Sequence, residues 1–151
     1  MDASPITLYD SALKVLLAGT MPALESARLA ALLLRPSHTP STASHAEFAD
    51  ILADEITGGT YARSAVTGLS VSLVDGAVRF TTDSIIFGNP VTVGPVRYLV
   101  LVFGSPKALV ADSLLFGIAD LAPVGGALEA QNSGFTITPP ASGWFTLTQG
   151  T

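Results

Sequence analysis

Residues 69–81 read Leu-Ser-Val-Ser-Leu-Val-Asp-Gly-Ala-Val-Arg-Phe-Thr, and this stretch decides the class of fold. Apolar and polar residues alternate on both sides of Asp75-Gly76, which is the two-residue period of a half-buried β-strand. An Asp-Gly pair favours a type I′ turn, because both central residues of that turn need a positive φ. The pattern therefore predicts an antiparallel β-hairpin.

Further strand candidates follow the hairpin and are separated by turns rich in glycine and proline. The candidates are residues 84–87, 96–103, 113–118, 134–138 and 144–148, with turns at Gly88-Asn89-Pro90, Gly104-Ser105-Pro106, Gly125-Gly126 and Pro139-Pro140. Short strands at this spacing predict an antiparallel β-sandwich or barrel-like core rather than βαβ units. Residues 97–103 are almost entirely apolar, so we expect them to form the central strand.

Two short helices are predicted in the N-terminal half. The first is indicated by apolar residues at helical spacing, namely Leu8, Ala12, Val15 and Leu16. Pro5 fits its first turn, Gly19 fits the position after its end, and Met21-Pro22 breaks the chain beyond it. The second is expected from residue 46 to about residue 53, with an apolar stripe of Phe48, Ile51 and Leu52. Ser44 is its expected cap, and Glu47 stands in the capping-box relation.

Residues 28–35, Arg-Leu-Ala-Ala-Leu-Leu-Leu-Arg, fit two kinds of element. Helix propensity favours a helix. The segment has only eight residues and ends at Pro36, which fits a strand buried on both faces equally well. Sequence physics leaves both open. Residues 36–45, rich in Ser, Thr and Pro, are expected to form an exposed loop.

Composition excludes several classes of protein. Charged residues make up 13% of the 151 residues, against about 25% in a typical soluble protein, while the apolar fraction of 48% is ordinary. This balance excludes intrinsic disorder. Seven Lys and Arg against twelve Asp and Glu argue against binding to nucleic acid. Without cysteine there is no disulfide or thiolate site. No apolar stretch approaches the roughly 20 residues that span a membrane, and residues 1–5 do not resemble a signal peptide.

The candidates for chemistry are weak. His38 and His45 would need Asp50 or Glu47 to complete a metal site, and their spacing matches no known ligand pattern, so we expect solvated loop histidines. Serines are numerous, but no Gly-x-Ser-x-Gly elbow is present, so any Ser-His-Asp combination is expected by chance.

Three further groups have ordinary structural explanations. Asp50, Asp54 and Glu55 are expected to lie along the solvated face of a helix rather than across a cleft. Glycine pairs and aromatic residues are expected to be turns and core: Gly58-Gly59, Gly125-Gly126, Tyr98, Phe135, Trp144 and Phe145. We therefore predict a single non-enzymatic, mainly β (α+β) domain over residues 1–151, with no catalytic, cofactor-binding or metal-binding residues.

The scarcity of charge suggests that part of the surface is covered in an assembly. Interfaces are depleted in Lys, Glu and Asp, and the chain has only two lysines, Lys14 and Lys107. Burial in a symmetric homo-oligomer would remove apolar surface from water.

Residues 45–61 resemble a family of small virion structural proteins of tailed bacteriophages. His45-Ala-Glu-Phe-Ala-Asp-Ile51 is similar to the family's "HxE(Y/F)xD(I/V)", and Glu55-Ile-Thr-Gly-Gly-Thr-Tyr61 to its "NE(I/V)xGxGY". Other family segments agree in order with residues 16–19, 29–40, 78–87, 96–104, 134–138 and 143–148. The chain departs from the pattern at Asp54, where the family tends to have Asn, and at residues 134–139, which lack an aromatic residue after the Ile.

The resemblance implies that residues 29–34 form a strand and that the chain has a structural role in a virion. The favoured role is a capsid decoration (cement) protein that is made in the host cytoplasm and binds the outer surface of the assembled head. Its expected partners are the major capsid protein and further copies of itself, as a homotrimer, without direct contact to nucleic acid or membrane. The alternatives are a tail tube, tip or fibre component and a receptor- or glycan-binding module.

Overall fold

A computed structural model describes residues 1–20 and 23–148. These residues form one helix, α1 (Asp10–Ala18), and 3₁₀ turns at Leu24–Ser26, Phe48–Asp50 and Leu52–Asp54. They also form ten strands: β1 (Thr7–Leu8), β2 (Leu29–Leu34), β3 (Ser64–Ala65), β4 (Ser70–Val74), β5 (Ala77–Thr81), β6 (Ile85–Val96), β7 (Tyr98–Phe103), β8 (Leu115–Asp120), β9 (Leu128–Ile137) and β10 (Phe145–Thr148). The predicted mainly β, α+β class is confirmed. Within the described ranges, no helix has the length and apolar character needed to cross a membrane.

The centre of the molecule is a five-stranded antiparallel sheet in the order β1-β8-β7-β2-β3. All six residues of β2 pair with β7, from Leu29 opposite Phe103 to Leu34 opposite Tyr98. Every residue of β2 is buried, so both faces of this strand are covered. Residues 29–34 therefore form a strand, as the resemblance implied, and β7 is the central strand that the apolar run predicted.

The hairpin is formed by β4 and β5, and β10 adds to it to give a three-stranded antiparallel sheet in the order β10-β5-β4. Asp75 has φ of 51° and Gly76 has φ of 79°, so both central turn residues have the predicted positive φ. Phe80 joins this sheet to the central one, because its ring contacts Phe116 of β8 at 5.6 Å between centroids.

The longest strands, β6 and β9, form a two-stranded antiparallel ribbon. The predicted break at Gly88-Asn89-Pro90 is wrong, because β6 continues through it to Val96. Its pairing with β9 shifts register four times between Ile86 and Val96. Proline lacks an N–H, and an irregular ladder can accommodate the missing donor where a regular one cannot. The other predicted strands are present with ends displaced by one or two residues, except that β9 begins at Leu128 rather than at residue 134.

The first helix is shorter than predicted. Leu8 belongs to β1 and pairs with Gly117, so α1 begins only at Asp10, and Pro5 lies outside it. Gly19 ends the helix with φ of 67°, as expected for the residue after a helix. The predicted break at Met21-Pro22 lies outside the described residues.

The predicted second helix is replaced by two 3₁₀ turns. Phe48 N–H donates to the Ser113 carbonyl at 2.8 Å, and Ala49 N–H donates to the Ala111 carbonyl at 3.0 Å. These two N–H groups therefore bond to residues 111–113 and not to the preceding turn of an α-helix. The capping box is also displaced by three residues: it joins Glu47 and Asp50 rather than Ser44 and Glu47.

Substitution of Gly76 tests the turn. A Cβ at this position would meet no atom within 4 Å, so Gly76→Val tests backbone strain and not a clash. A left-handed conformation costs an L-residue roughly 1–2 kcal/mol. We expect thermal unfolding to show a Tm lower by several degrees. The control, Asp75→Asn, keeps a residue that tolerates positive φ and should leave the Tm nearly unchanged. An unchanged Tm in Gly76→Val would contradict the assigned turn.

Candidate interaction surface

Glu55 and Tyr61 of the motif form a partly buried network of hydrogen bonds with Arg63. Arg63 donates to both carboxylate oxygens of Glu55, from Nε to Oε1 and from Nη2 to Oε2, each at 2.9 Å. The Tyr61 hydroxyl donates to Glu55 Oε1 at 2.8 Å and accepts a bond from the Leu33 N–H at 3.2 Å. Through Leu33, the network attaches residues 55–63 to the buried strand β2.

This network corrects the prediction that Glu55 lies on a solvated face. Only 8% of its side chain is exposed. The side-chain hydrogen bond to Glu55 raises the pKa of Arg63, and burial raises the pKa of Tyr61, so Arg63 stays charged and Tyr61 keeps its donor proton. The Arg63 guanidinium also lies 4.8 Å from the centre of the Phe48 ring. The carboxylate is satisfied internally, which is how a buried charge is retained.

The two histidines that sequence analysis expected to be solvated lie close to each other. His38 is buried and not solvated as predicted: its Nδ1 lies 2.7 Å from Asp54 Oδ2, and its ring packs on Tyr98. His45 is half-buried, with its ring centre 5.6 Å from that of His38. Within residues 1–20 and 23–148, no group of three or more His, Cys, Asp or Glu side chains is suited to hold a metal ion.

The acidic residues near the 3₁₀ turns also have separate partners. Asp50 Oδ2 accepts bonds from the Ala46 and Glu47 N–H groups at 2.8 and 3.0 Å. Asp54 contacts His38 instead. Asp50 and Asp54 are therefore not a facing pair of carboxylates, and each holds its own part of the loop.

The aromatic candidates contribute mainly to the core. Trp144 is fully buried, and its Nε1 donates to Thr82 Oγ1 at 2.9 Å. Tyr98 and Phe135 are buried as well. Phe145 is half-buried and packs on Phe80, with 5.4 Å between ring centres. Core positions were the expected explanation for these residues.

The glycine pairs allow backbone conformations with a positive φ in two loops. Gly59 has φ of 58°, and a Cβ there would overlap the carbonyl oxygen of Thr92 in β6. Glycine thus permits the loop to approach β6, where Thr60 N–H donates to the same carbonyl at 3.1 Å. Gly125 and Gly126 have φ of 97° and 93° in the turn between β8 and β9.

The surface feature left uncovered is one face of the three-stranded sheet. The register places Leu73, Val78 and Leu147 side by side in one row across β4, β5 and β10. These side chains are 75%, 38% and 53% exposed. The neighbouring row is Val71, Phe80 and Phe145, of which Phe80 is buried against the central sheet.

Helix α1 extends this apolar surface. Leu17 is 89% exposed and lines an apolar cleft of about 390 Å³ together with Val78 and Leu147. We call Leu17, Val71, Leu73, Val78 and Leu147 the apolar face. The opposite side of the sheet is polar, with Ser72, Arg79 and Thr146 in one row.

No interaction residues were predicted, although the sequence contains part of the pattern that marks the apolar face. The alternation in residues 69–81 marks one side of the hairpin as apolar, and residues 145–148 alternate in the same way. The pattern does not tell where the core stops covering that side, because this depends on how far the sheet projects beyond β8. No family model, curated protein or solved structure matches the chain.

Two arginine substitutions test how much the network around Glu55 contributes to the free energy of unfolding. Arg63 and Arg97 each make a two-bond pair with a carboxylate, and their side chains are 26% and 27% exposed. The carboxylates differ: the Glu55 side chain is 8% exposed and the Asp120 side chain 30%. We expect Arg63→Ala to lower the free energy of unfolding by about 3 kcal/mol, because it strands a buried charge.

The matched control is Arg97→Ala, which should cost clearly less than Arg63→Ala because its carboxylate partner is more exposed to water. Both arginines lie over an aromatic ring, Phe48 and Tyr98 respectively, so that contribution is similar in the pair. Urea unfolding of the two variants measures the difference. Equal losses of unfolding free energy in the two variants would show that the burial of Glu55 does not determine how much its network stabilises the fold.

A pH series tests the role of Asp50. Hydrogen bonds from the Ala46 and Glu47 N–H groups hold the pKa of Asp50 below its usual range. Its contribution to stability is therefore present above the unfolded pKa, about 3.9, and is lost as the pH falls through the folded pKa. We expect Asp50→Asn to be less stable than the native chain at neutral pH and to lose less stability on acidification, as measured by urea unfolding. Asp112→Asn, at an exposed position, should follow the native pH profile.

Proposed function

We propose that this chain is a non-enzymatic structural protein of a tailed-bacteriophage virion, and specifically a capsid decoration protein. In this role it binds the outer surface of the assembled head and ties neighbouring shell subunits together. Its partners are the major capsid protein and other copies of the chain, in a homotrimer. It is made in the host cytoplasm and resides on the capsid surface, without direct contact to nucleic acid or membrane.

The observation that carries this proposal is the apolar face on a chain poor in charge. Leu17 and Leu73 are the most exposed of its side chains, in a protein with 13% charged residues. Large contiguous apolar patches on soluble proteins mark sites of association. A structural subunit that works in an assembly needs such a surface, whereas a reaction needs convergent polar groups.

The sequence resemblance supports the same reading. The motif residues with the clearest structural role, Glu55 and Tyr61, anchor their loop to β2 through Leu33. Motif residues that form hydrogen bonds within the chain are expected in a family whose motif maintains the fold. The polar motif side chains of residues 45–61 therefore need no substrate to explain them.

Decoration stabilises a shell by linkage. A protein that binds only the assembled shell shifts the equilibrium toward assembly by mass action. A trimer that contacts several subunits at once turns a weak single contact into a firm one, because later contacts form within one complex. The net charge of −5 disfavours contact with the packaged DNA, which carries the same sign.

A tail component is the remaining alternative within the same family, since it would share the fold and differ in partner and copy number. A glycan-binding module has less support. A sugar-binding site usually needs exposed aromatic rings, and Trp144, Phe135 and Tyr98 are buried and cannot stack on a sugar.

Quantitative mass spectrometry of purified virions tests the proposal. The number of copies of this chain is measured relative to the major capsid protein of the phage that encodes it. We expect copy numbers comparable to those of the shell subunit. A handful of copies per virion would assign the chain to the tail, and its complete absence would overturn the structural role.

A further inference from the structure

We infer that the apolar face is the surface through which copies of this chain bind one another. The occupant is a second copy of the chain, seated over Leu73, Val78 and Leu147 and extending to Leu17. This inference rests on the self-association included in the proposed function and names the residues that carry it.

The first argument is the pattern of exposure within one sheet. Val71, Phe80 and Phe145 form a row that the chain covers only in part: Phe80 is 1% exposed, whereas Val71 is 36% exposed. The next row, Leu73 with Val78 and Leu147, projects the same apolar side into solvent. The chain thus covers the apolar side of this sheet mainly at Phe80. Another surface is needed for the rest, and sheets pack well face to face.

The second argument is the state of the sheet edge. β4 is an outer strand of its sheet and pairs with β5 in regular register from Ser70 to Val74. Soluble proteins usually protect such an edge with lysine, proline or a bulge. Residues 70–74, Ser-Val-Ser-Leu-Val, contain neither charge nor proline. Their sequence suits a strand whose outer edge meets a neighbour.

The absence of charge on this face allows a second copy to approach it despite the net negative charge of both chains. Two identical chains of net charge −5 repel each other at long range, so their contact is favoured where charge is absent. Glu25 is the one charged residue among the described side chains lining the cleft beside the apolar face. Three such faces that meet at the axis of a homotrimer would bring few like charges together.

The apolar face supplies a large part of the area that such a contact needs. The five side chains of the apolar face expose on the order of 500 Å² together, a patch near the upper limit for monomeric proteins. A standard interface buries about 800 Å² on each partner. The backbone of the β4 edge and the walls of the cleft, which include Leu16 and Leu24, supply further area.

Light scattering after gel filtration tests the inference on the purified full chain. We expect the native chain to be oligomeric, and Leu73→Asp to raise its dissociation constant at least tenfold. Leu73 is 75% exposed, so the charge is tolerated in the monomer and is unfavourable only under a neighbour. The matched control is Val124→Asp, at a fully exposed valine in the turn before β9, which should associate like the native chain.

A second variant and a salt series complete the test. Leu147→Asp places the same charge at the other end of the row, in β10, and should weaken association as well, while circular dichroism melting verifies that each variant is folded. Association through an apolar face should not weaken as the salt concentration rises. A monomeric native chain, a Leu73→Asp variant that associates normally, or equal loss in Val124→Asp would each overturn the inference.

These outcomes are separate from the virion count. A monomeric native chain that is nevertheless abundant in virions would remove the self-association and leave decoration in place. An oligomer that loses its contacts in Leu73→Asp, but is absent from virions, would support the interface and overturn the decoration role.

Discussion

The rest of the structure depends on the pairing of β2 with β7 and on the burial that this pairing demands. β2 is apolar along its whole length, so neither of its faces can be left to water. Its cover is assembled from distant parts of the chain. The loop that carries Glu55 and Tyr61 reaches it through Leu33, and Ile56 N–H donates to the Leu33 carbonyl at 3.0 Å. A strand in the first quarter of the chain thereby organises segments that follow it.

Charged groups are few, and several of them hold the fold together. Arg63 and Arg97 each bind a carboxylate through two nitrogens. Arg35 donates to the Glu55 carbonyl oxygen at 3.1 Å, on the far side of the same residue whose carboxylate binds Arg63. Glu55 is therefore held by its backbone and by its side chain. Little charge remains to keep the surface hydrated, and this scarcity of surface charge is one of the observations behind the proposed assembly.

The sequence predicts those parts of the fold that local chemistry controls. Asp75-Gly76 specified its turn because the positive φ at both positions is a local property. The apolar run identified β7 as the central strand. Residues 28–35 stayed open, because a strand buried on both faces lacks the period that separates strand from helix. Contacts with distant residues determine the features that the sequence did not predict. Phe48 and Ala49 bond to Ser113 and Ala111, so these residues do not form an α-helix. Asp54 contacts His38, which was expected to be solvated because of the composition of its loop.

The irregular ribbon of β6 and β9 has a consequence for the direction of assembly. Pro90 and Pro95 remove two amide donors from β6, and Thr92 is already bonded to Thr60 through its N–H and its carbonyl. An incoming strand would find few free groups along this side of the ribbon. β4 has the opposite character, with regular pairing to β5 and no proline. In the self-association proposed above, a neighbour could therefore pair along β4 but not along β6, and this difference would favour closed groups of copies over an endlessly extended sheet.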